Sequence, residues 1–273
     1  MNASPEAGFE APPVWEVAMS AFTPASLVDS YDIRSVHDLY RDELPVVERH
    51  APVAQLDVAG LVGAQIPPIE TGAGVAPRWW FVAEEGSELF QVQENFVANN
   101  WRRQKVQPGA KVNYPGFDYL QNAMRRRVET LRTYHAAHSE GLVEPVACEL
   151  LYDNVIPLRF GDGPDLRVSD VLSEYDRAEP DRKLLGLQLN WIEKIDGLAD
   201  DEKAILQIEI AIVAIMVDGS ETPMPVVRIL FRAGAMRSTW ADTFTFFEVA
   251  HTHIRHRLMV LTTEEAHFRW LPK

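Results

Sequence analysis

Cysteine is nearly absent from this sequence, which has one, Cys148, among 273 residues. A lone cysteine excludes an internal disulfide framework and any zinc or iron–sulfur site that needs several thiolates. Long apolar runs are missing as well: the uninterrupted part of the most apolar segment covers only 210–217, whereas a bilayer span needs about 20 residues. The stretch 1–13 holds no Lys or Arg and does not read as a signal peptide. We therefore expect a cytoplasmic protein that does not associate with membranes.

Sequence signatures of catalysis are missing too. The chain has no phosphate-binding glycine loop, no G-x-S-x-G, no H-E-x-x-H and no dinucleotide-binding fingerprint. His251, His253 and His256 do not make a ligand set, because a helix turns by about 100° per residue and places His253 opposite His251. We predict no metal site and no cofactor, and no catalytic residue is assigned.

The spacing of apolar residues predicts an α+β fold. Apolar residues indicate strands near 14–23, 52–62, 143–156, 185–191, 208–215 and 227–231, and a hairpin of two strands near 79–93. Apolar residues at helical spacing indicate helices near 33–40, 115–141, 169–175 and 241–261. Because strands follow one another and helices come late, we predict antiparallel sheets with long helices packed on one face.

The predicted elements read as one unit, β-α-β-β-β-α, written twice, which indicates an internal duplication. The corresponding domains are a flexible tail at 1–12, a first α+β half at 13–142 and a second half at 143–273. One continuous α+β domain without internal symmetry is the alternative.

Charge is distributed unevenly along the chain. Acidic residues outnumber basic ones by 40 to 26, and the net charge of −14 argues against a protein that wraps nucleic acid non-specifically. The segment 101–132 has eight basic and two acidic residues, a local charge of +6, with aromatic residues among them. Such a segment can hold an anionic ligand, a nucleotide or a nucleic acid through charge and stacking. It can equally be a solvated helix surface that pairs with acidic residues elsewhere in the chain.

Two histidines fall inside the apolar stripes of the long helices. His251 lies on the stripe of the last predicted helix, and His135 occupies the matching place on the earlier one. Each is either a core histidine satisfied by a hydrogen bond or a polar group aimed at a pocket between helix and sheet.

Five short motifs occur in order along the chain: RWWF at 78–81, QVQ at 91–93, NWRR at 100–103, YPGF at 114–117 and CELLYDN at 148–154. Together they resemble a family of uncharacterised prokaryotic proteins known for its sporadic distribution among genomes. The resemblance covers nearly the whole chain and implies no established activity, cofactor or catalytic residue. The sporadic distribution implies carriage on mobile or defence-associated loci.

We therefore predict an intracellular binding or regulatory module with a protein partner or self-association. Its binding surface would be a sheet face or a cleft between the halves. One alternative is a nucleic-acid- or nucleotide-binding protein acting through 101–132. Another is an enzyme that uses His251, His135, Tyr152, Glu149 and Arg103. The candidate binding residues are Gln91, Gln93, Asn100, Trp101, Arg102, Arg103, Tyr114, Arg125, Arg126, His135, Glu149, Tyr152 and His251.

Overall fold

The computed structural model describes residues 12–24, 26–28, 32–52, 77–103, 114–138, 143–158, 166–173, 187–196, 198, 204–216 and 223–270. The strands in these ranges are β1 Val14–Phe22, β2 Val46–His50, β3 Arg78–Val82, β4 Glu88–Gln93, β5 Phe96–Arg102, β6 Ala147–Pro157, β7 Gln188–Lys194, β8 Ala204–Ile215 and β9 Met224–Met236. The helices are α1 Ile33–Asp38, α2 Phe117–His138, α3 Val168–Val171, α4 Trp240–Leu261 and α5 Glu264–Arg269. All but the last residue of the predicted flexible tail lies outside the described residues.

The described strands form one antiparallel sheet in the order β2-β3-β4-β5-β1-β6-β9-β8-β7. The predicted α+β class is confirmed, since this sheet and five helices make up the described structure. β1 is hydrogen-bonded to β5 on one side and to β6 on the other. The sheet therefore continues without interruption across the boundary predicted at 142 and 143.

The described strands of the first half differ from those predicted. Four strands, β2 to β5, lie between α1 and α2 in the described residues, whereas the prediction had the two arms of the hairpin and a strand at 52–62, of which 53–62 lies outside the described residues. The sequence pattern misses β2 because this edge strand (VVERH) is largely exposed and has no apolar stripe. The hairpin of β3 and β4 around Gly86 is confirmed, and Gly86 takes a positive φ of 79° in its turn.

The two 22-residue helices contact the sheet and each other. In α2, Leu120 O accepts a hydrogen bond from Asn99 Nδ2 at 3.3 Å on β5. In α4, His251 Nδ1 lies 2.8 Å from the hydroxyl of Tyr152 on β6. Gln121 Nε2 donates to Phe244 O at 2.9 Å and joins the two helices directly. Most buried apolar side chains belong to one continuous core cluster that draws on these helices and on the sheet.

A buried ion-pair network ties α2 to the strands of the first half. The side chain of Arg127 is 4% exposed, and its guanidinium lies 2.8 Å from Glu88 Oε1 and 3.0 Å from Glu43 Oε2. The same guanidinium donates to Asn99 Oδ1 on β5, and the Arg127 carbonyl accepts from the Tyr40 hydroxyl at 2.8 Å. Removing one partner of a buried pair leaves the other charge uncompensated, which is more costly than losing an exposed pair.

Replacing Arg127 by methionine tests this network. We expect Arg127→Met to lower the free energy of unfolding by about 3–5 kcal/mol, because Glu88 is left as a buried charge. The neighbouring Arg126, whose side chain is 57% exposed, provides the matched control. Arg126→Met should change stability by less than about 0.5 kcal/mol in urea denaturation. Equal losses in the two variants would contradict a structural role for the buried pair.

The apolar side of α4 gives a second stability test. Phe247 is fully buried, so Phe247→Ala should cost about 3–5 kcal/mol through lost burial and a residual cavity. Phe268→Ala is the control, because Phe268 on α5 is 74% exposed. A loss below about 1 kcal/mol for Phe247→Ala would mean that this side of the helix does not stabilise the core.

Candidate functional site

The sheet separates the predicted site residues into groups on its two faces, because side chains alternate along a strand. Trp101 and Tyr152 lie on the side that contacts α2 and α4, together with Tyr114 and His251. The opposite side, which we call the outer face, carries Gln91, Gln93, Asn100, Arg102 and Glu149. Arg125, Arg126 and His135 lie on α2 itself, and Arg103 follows β5.

On the helix side, His251 belongs to a hydrogen-bonded aromatic group. The Phe117 ring stacks on its imidazole at 4.1 Å, and the Tyr152 hydroxyl lies 3.3 Å from that of Tyr114. Burial, with a smaller effect of Arg255, lowers the pKa of His251 to about 3, and burial raises the pKa of Tyr114 to about 12. The imidazole and this phenol are therefore uncharged at neutral pH, and the contacts favour a core histidine over a catalytic one.

The arginines of α2 are paired within the chain. Arg125 lies 3.3 Å from Glu248 and over the Phe244 ring, and Arg126 lies 3.9 Å from Glu43. Trp101, which was predicted to stack on a ligand, is 4% exposed and packs against Tyr114. These contacts favour the interpretation in which the basic segment pairs with acidic residues elsewhere in the chain. Its stretch 104–113 lies outside the described residues.

His135 does not share the environment of His251. Its Nε2 lies 3.2 Å from the carbonyl oxygen of Ser26, at the surface end of α2. His135 and His251, at matching positions of the two helices, therefore make different contacts.

The outer face carries a chain of polar side chains across three neighbouring strands. Gln91 Nε2 on β4 donates to Asn100 Oδ1 on β5 at 2.7 Å. Asn100 Nδ2 in turn donates to Glu16 Oε1 on β1 at 2.7 Å. Gln91 and Asn100 are buried, with 5% and 2% of their surfaces exposed. Burial of this kind is costly unless the groups serve each other or a ligand.

The carboxylate at one end fixes the direction of this chain. Asn100 turns its amide N–H towards Glu16 and its oxygen towards Gln91, which is the arrangement that an ionised carboxylate requires because it only accepts hydrogen bonds. Gln91 must then direct its own N–H to Asn100, which turns its Oε1 away from the chain. Gln91 Oε1 is buried and has no hydrogen-bond partner among the residues that the structure describes.

An aromatic and cationic group lies next to this oxygen. Trp80 on β3 stands directly opposite Gln91, and the guanidinium carbons of Arg78 and Arg102 lie 5.2 and 5.0 Å from its ring centroid. Within the described ranges, the buried Trp80 Nε1 and Arg78 Nε also lack hydrogen-bond partners. We name Arg78, Trp80, Gln91 and Arg102 the Trp80 cluster. It joins two donors and one acceptor that are left without partners.

Polar and charged side chains continue along the outer face into the second half of the sheet. Arg228 on β9 makes a two-pronged contact with Asp153 on β6, at 2.8 and 2.7 Å. Arg232 lies 3.0 Å from Glu149 on the same pair of strands. These carboxylates are satisfied by their arginines, unlike the polar atoms of the Trp80 cluster.

Within the described part of the chain, no three or more His, Cys, Asp or Glu side chains come together as a metal site. No helix there is both long and apolar enough to cross a membrane. No family model matches the chain, and no curated protein matches it. The resemblance stated from the five motifs stays a prediction, and function is argued from the chemistry of the site.

Sequence reasoning identified Gln91, Asn100 and Arg102 but not Trp80 or Glu16. A signal for Trp80 was present, since the register of the predicted hairpin places it opposite Gln91. Nothing comparable exists for Glu16, because it reaches Asn100 only through the pairing of β1 with β5, which are far apart in sequence.

The ionisation of Glu16 gives a pH test of this network. Burial, followed by the nearby Asp153, raises its pKa above 4.5, although Asn100 and two arginines oppose the shift. The protonated carboxyl therefore stabilises the fold at low pH, and this contribution is lost as pH rises through the raised pKa. Since glutamine cannot ionise, Glu16→Gln should gain stability relative to the wild type as pH rises from the ordinary carboxyl pKa of 4.5 through the raised pKa of Glu16.

Urea denaturation across this range measures the difference between the two proteins. Glu94→Gln, in the exposed turn between β4 and β5, removes a carboxylate outside this network and is the matched control. A Glu16→Gln difference that varies no more with pH than that of the control would contradict the raised pKa.

Proposed function

We propose that this protein is a non-catalytic binding module that holds a protein partner on its outer face, at the Trp80 cluster. The observation that carries the proposal is Gln91, which is almost fully buried and still has an unpartnered amide oxygen. Leaving a buried acceptor unpaired costs about 1–3 kcal/mol, so a ligand that supplies the missing donor gains that energy on binding.

The surroundings of the cluster suit binding better than catalysis. Cys148 is buried on the other side of the sheet, and burial raises the pKa of its thiol to about 12, so it is not a ready nucleophile. His50 stacks on Trp80 at 3.6 Å, and its Nε2 lies 2.8 Å from Glu48. The polar groups of the cluster are amides, guanidiniums and an indole, which orient ligands through hydrogen bonds.

The nucleic-acid alternative draws less support from the contacts. Its aromatic anchor, Trp101, is buried in the core, and the α2 arginines are paired with carboxylates. The predicted link to mobile or defence-associated loci concerns the setting of the gene and draws no support from the site.

We also propose that the two halves arose by duplication. Each half begins with a strand and continues with a short helix, a run of antiparallel strands and a 22-residue helix. In each half the last strand of the run pairs with the first strand, and the two first strands, β1 and β6, pair with each other. Among the described elements, the halves differ by the extra strand of the first half and by the terminal helix α5 of the second.

A photo-crosslinking experiment tests the binding face. Val46 and Val47 are adjacent on β2 and equally exposed, at 43% and 42%, but point to opposite faces of the sheet. With p-benzoylphenylalanine at either position in the full chain, expressed in its natural host, we expect a defined protein adduct from position 46 and not from position 47.

The adduct must depend on the cluster to support the proposal. Adding Arg102→Ser should abolish it, whereas Arg49→Ser, on the exposed opposite side of β2, should leave it unchanged. An adduct that forms equally at both positions, or that survives Arg102→Ser, would contradict binding at the outer face. An adduct with nucleic acid in place of protein would favour the alternative function.

A further inference from the structure

We infer that the Trp80 cluster recognises the free C-terminal carboxylate of a partner polypeptide together with the amide N–H of its last residue. The inference rests on the proposed function and names the chemistry of the ligand. Its basis is the complementarity between the unpartnered atoms of the cluster and the groups that a chain terminus presents.

The unpartnered donors call for an anionic acceptor. Trp80 Nε1 and Arg78 Nε have no acceptor in the described structure, and two guanidiniums lie near the same ring. Donors of this kind match a carboxylate or a phosphate, which only accept hydrogen bonds. Arg102 keeps one contact of its own, from Nε to Gly86 O at 3.2 Å.

The unpartnered acceptor distinguishes a carboxylate ligand from a phosphate ligand. Gln91 Oε1 needs a donor immediately beside the anion, because Gln91 and Trp80 are directly opposite on neighbouring strands. The phosphate group of a phosphodiester carries no such donor. A peptide terminus carries an amide N–H one carbon away from its carboxylate, so one residue can satisfy both groups.

The charges around the cluster favour a terminus over an acidic segment. Glu48 on β2 lies opposite Trp80, and Glu16 lies at the other end of the polar chain. The protein as a whole carries a net charge of −14. A run of acidic side chains would be repelled by these carboxylates, whereas a terminus brings one negative charge to two arginines.

Binding requires a local movement of side chains. The three unpartnered atoms are shielded from solvent, and the Arg78 and Arg102 guanidiniums lie near the Trp80 ring. For a carboxylate to reach the indole N–H, at least one guanidinium must leave the ring and turn towards the ligand. Arginine side chains make such rotamer changes on binding without backbone movement.

Fluorescence anisotropy with paired peptide libraries tests the inference on the full chain. One library consists of fluorescein-labelled heptapeptides with randomised last four residues and a free carboxylate, and the other is the same library with a C-terminal amide. We expect binders selected from the free-acid library to lose about tenfold or more in affinity on amidation, as expected when a charge-assisted hydrogen bond is lost.

Variants of the protein assign the effect to the cluster. Arg78→Gln and Trp80→Phe should each weaken binding of the selected free-acid peptides about tenfold, since the first removes the positive charge with its Nε donor and the second removes the indole donor. Arg125→Gln on α2 is the control and should leave affinity unchanged. Circular dichroism and urea denaturation of each variant verify that the fold is retained.

The outcomes separate this inference from the proposed function. Equal affinity for free and amidated peptides, or equal affinity of Arg78→Gln and the wild type, would overturn recognition of a terminus. A cluster-dependent adduct from position 46 combined with that result would keep the binding module and reject only the ligand class. Absence of both the adduct and peptide binding would reject the two together.

Discussion

The whole structure depends on the position of β1 between β5 and β6. Within the described sheet, this strand alone joins the meander of the first half to the strands of the second, so the sheet is continuous only because both of its edges are paired. Its residues facing the helices, including Val17, Met19 and Ala21, are fully buried. Because side chains alternate along a strand, the same segment places Glu16 on the outer face. One strand therefore forms the centre of the core and the end of the polar chain.

Charged and polar groups are paired differently on the two faces of the sheet. On the helix side, His251 is kept neutral by burial, and the buried cation Arg127 is surrounded by two carboxylates and an amide oxygen. On the outer face, Asp153 and Glu149 of the second half are paired with arginines, although Arg232 Nε is buried without a partner among the described residues. In the first half, two unpartnered donors and one unpartnered acceptor lie together in the Trp80 cluster, and it is this grouping that supports the proposed ligand site, since buried polar groups are normally satisfied.

Local sequence patterns predicted most helices and strands, whereas pairing between strands far apart in sequence determines which residues meet in the candidate site. The helical stripes of α2 and α4 and the hairpin of β3 and β4 follow from periodicity within a few residues. The strand β2 was not predicted, because its sequence (VVERH) is largely exposed and lacks the apolar alternation that indicates a strand. Gln91 and Asn100 could be identified as polar residues in apolar strands, but Glu16 comes 84 residues before Asn100 in the chain. Likewise, Arg125 is neutralised by Glu248, which lies 123 residues away, so charge counted along a segment did not describe charge in space.

The direction of the amide chain connects the core strand to the ligand site. With Glu16 ionised, each amide must donate towards β1, and the unpartnered group that reaches the Trp80 cluster is an oxygen. A protonated Glu16 could instead donate to Asn100, which would allow both amides to reverse and present an N–H at the cluster. The cluster would then offer donors only, and it would no longer distinguish a peptide terminus from a simple anion. If the Trp80 cluster binds a peptide terminus as proposed, the burial that raises the pKa of Glu16 acts on the specificity of that site two strands away as well as on stability.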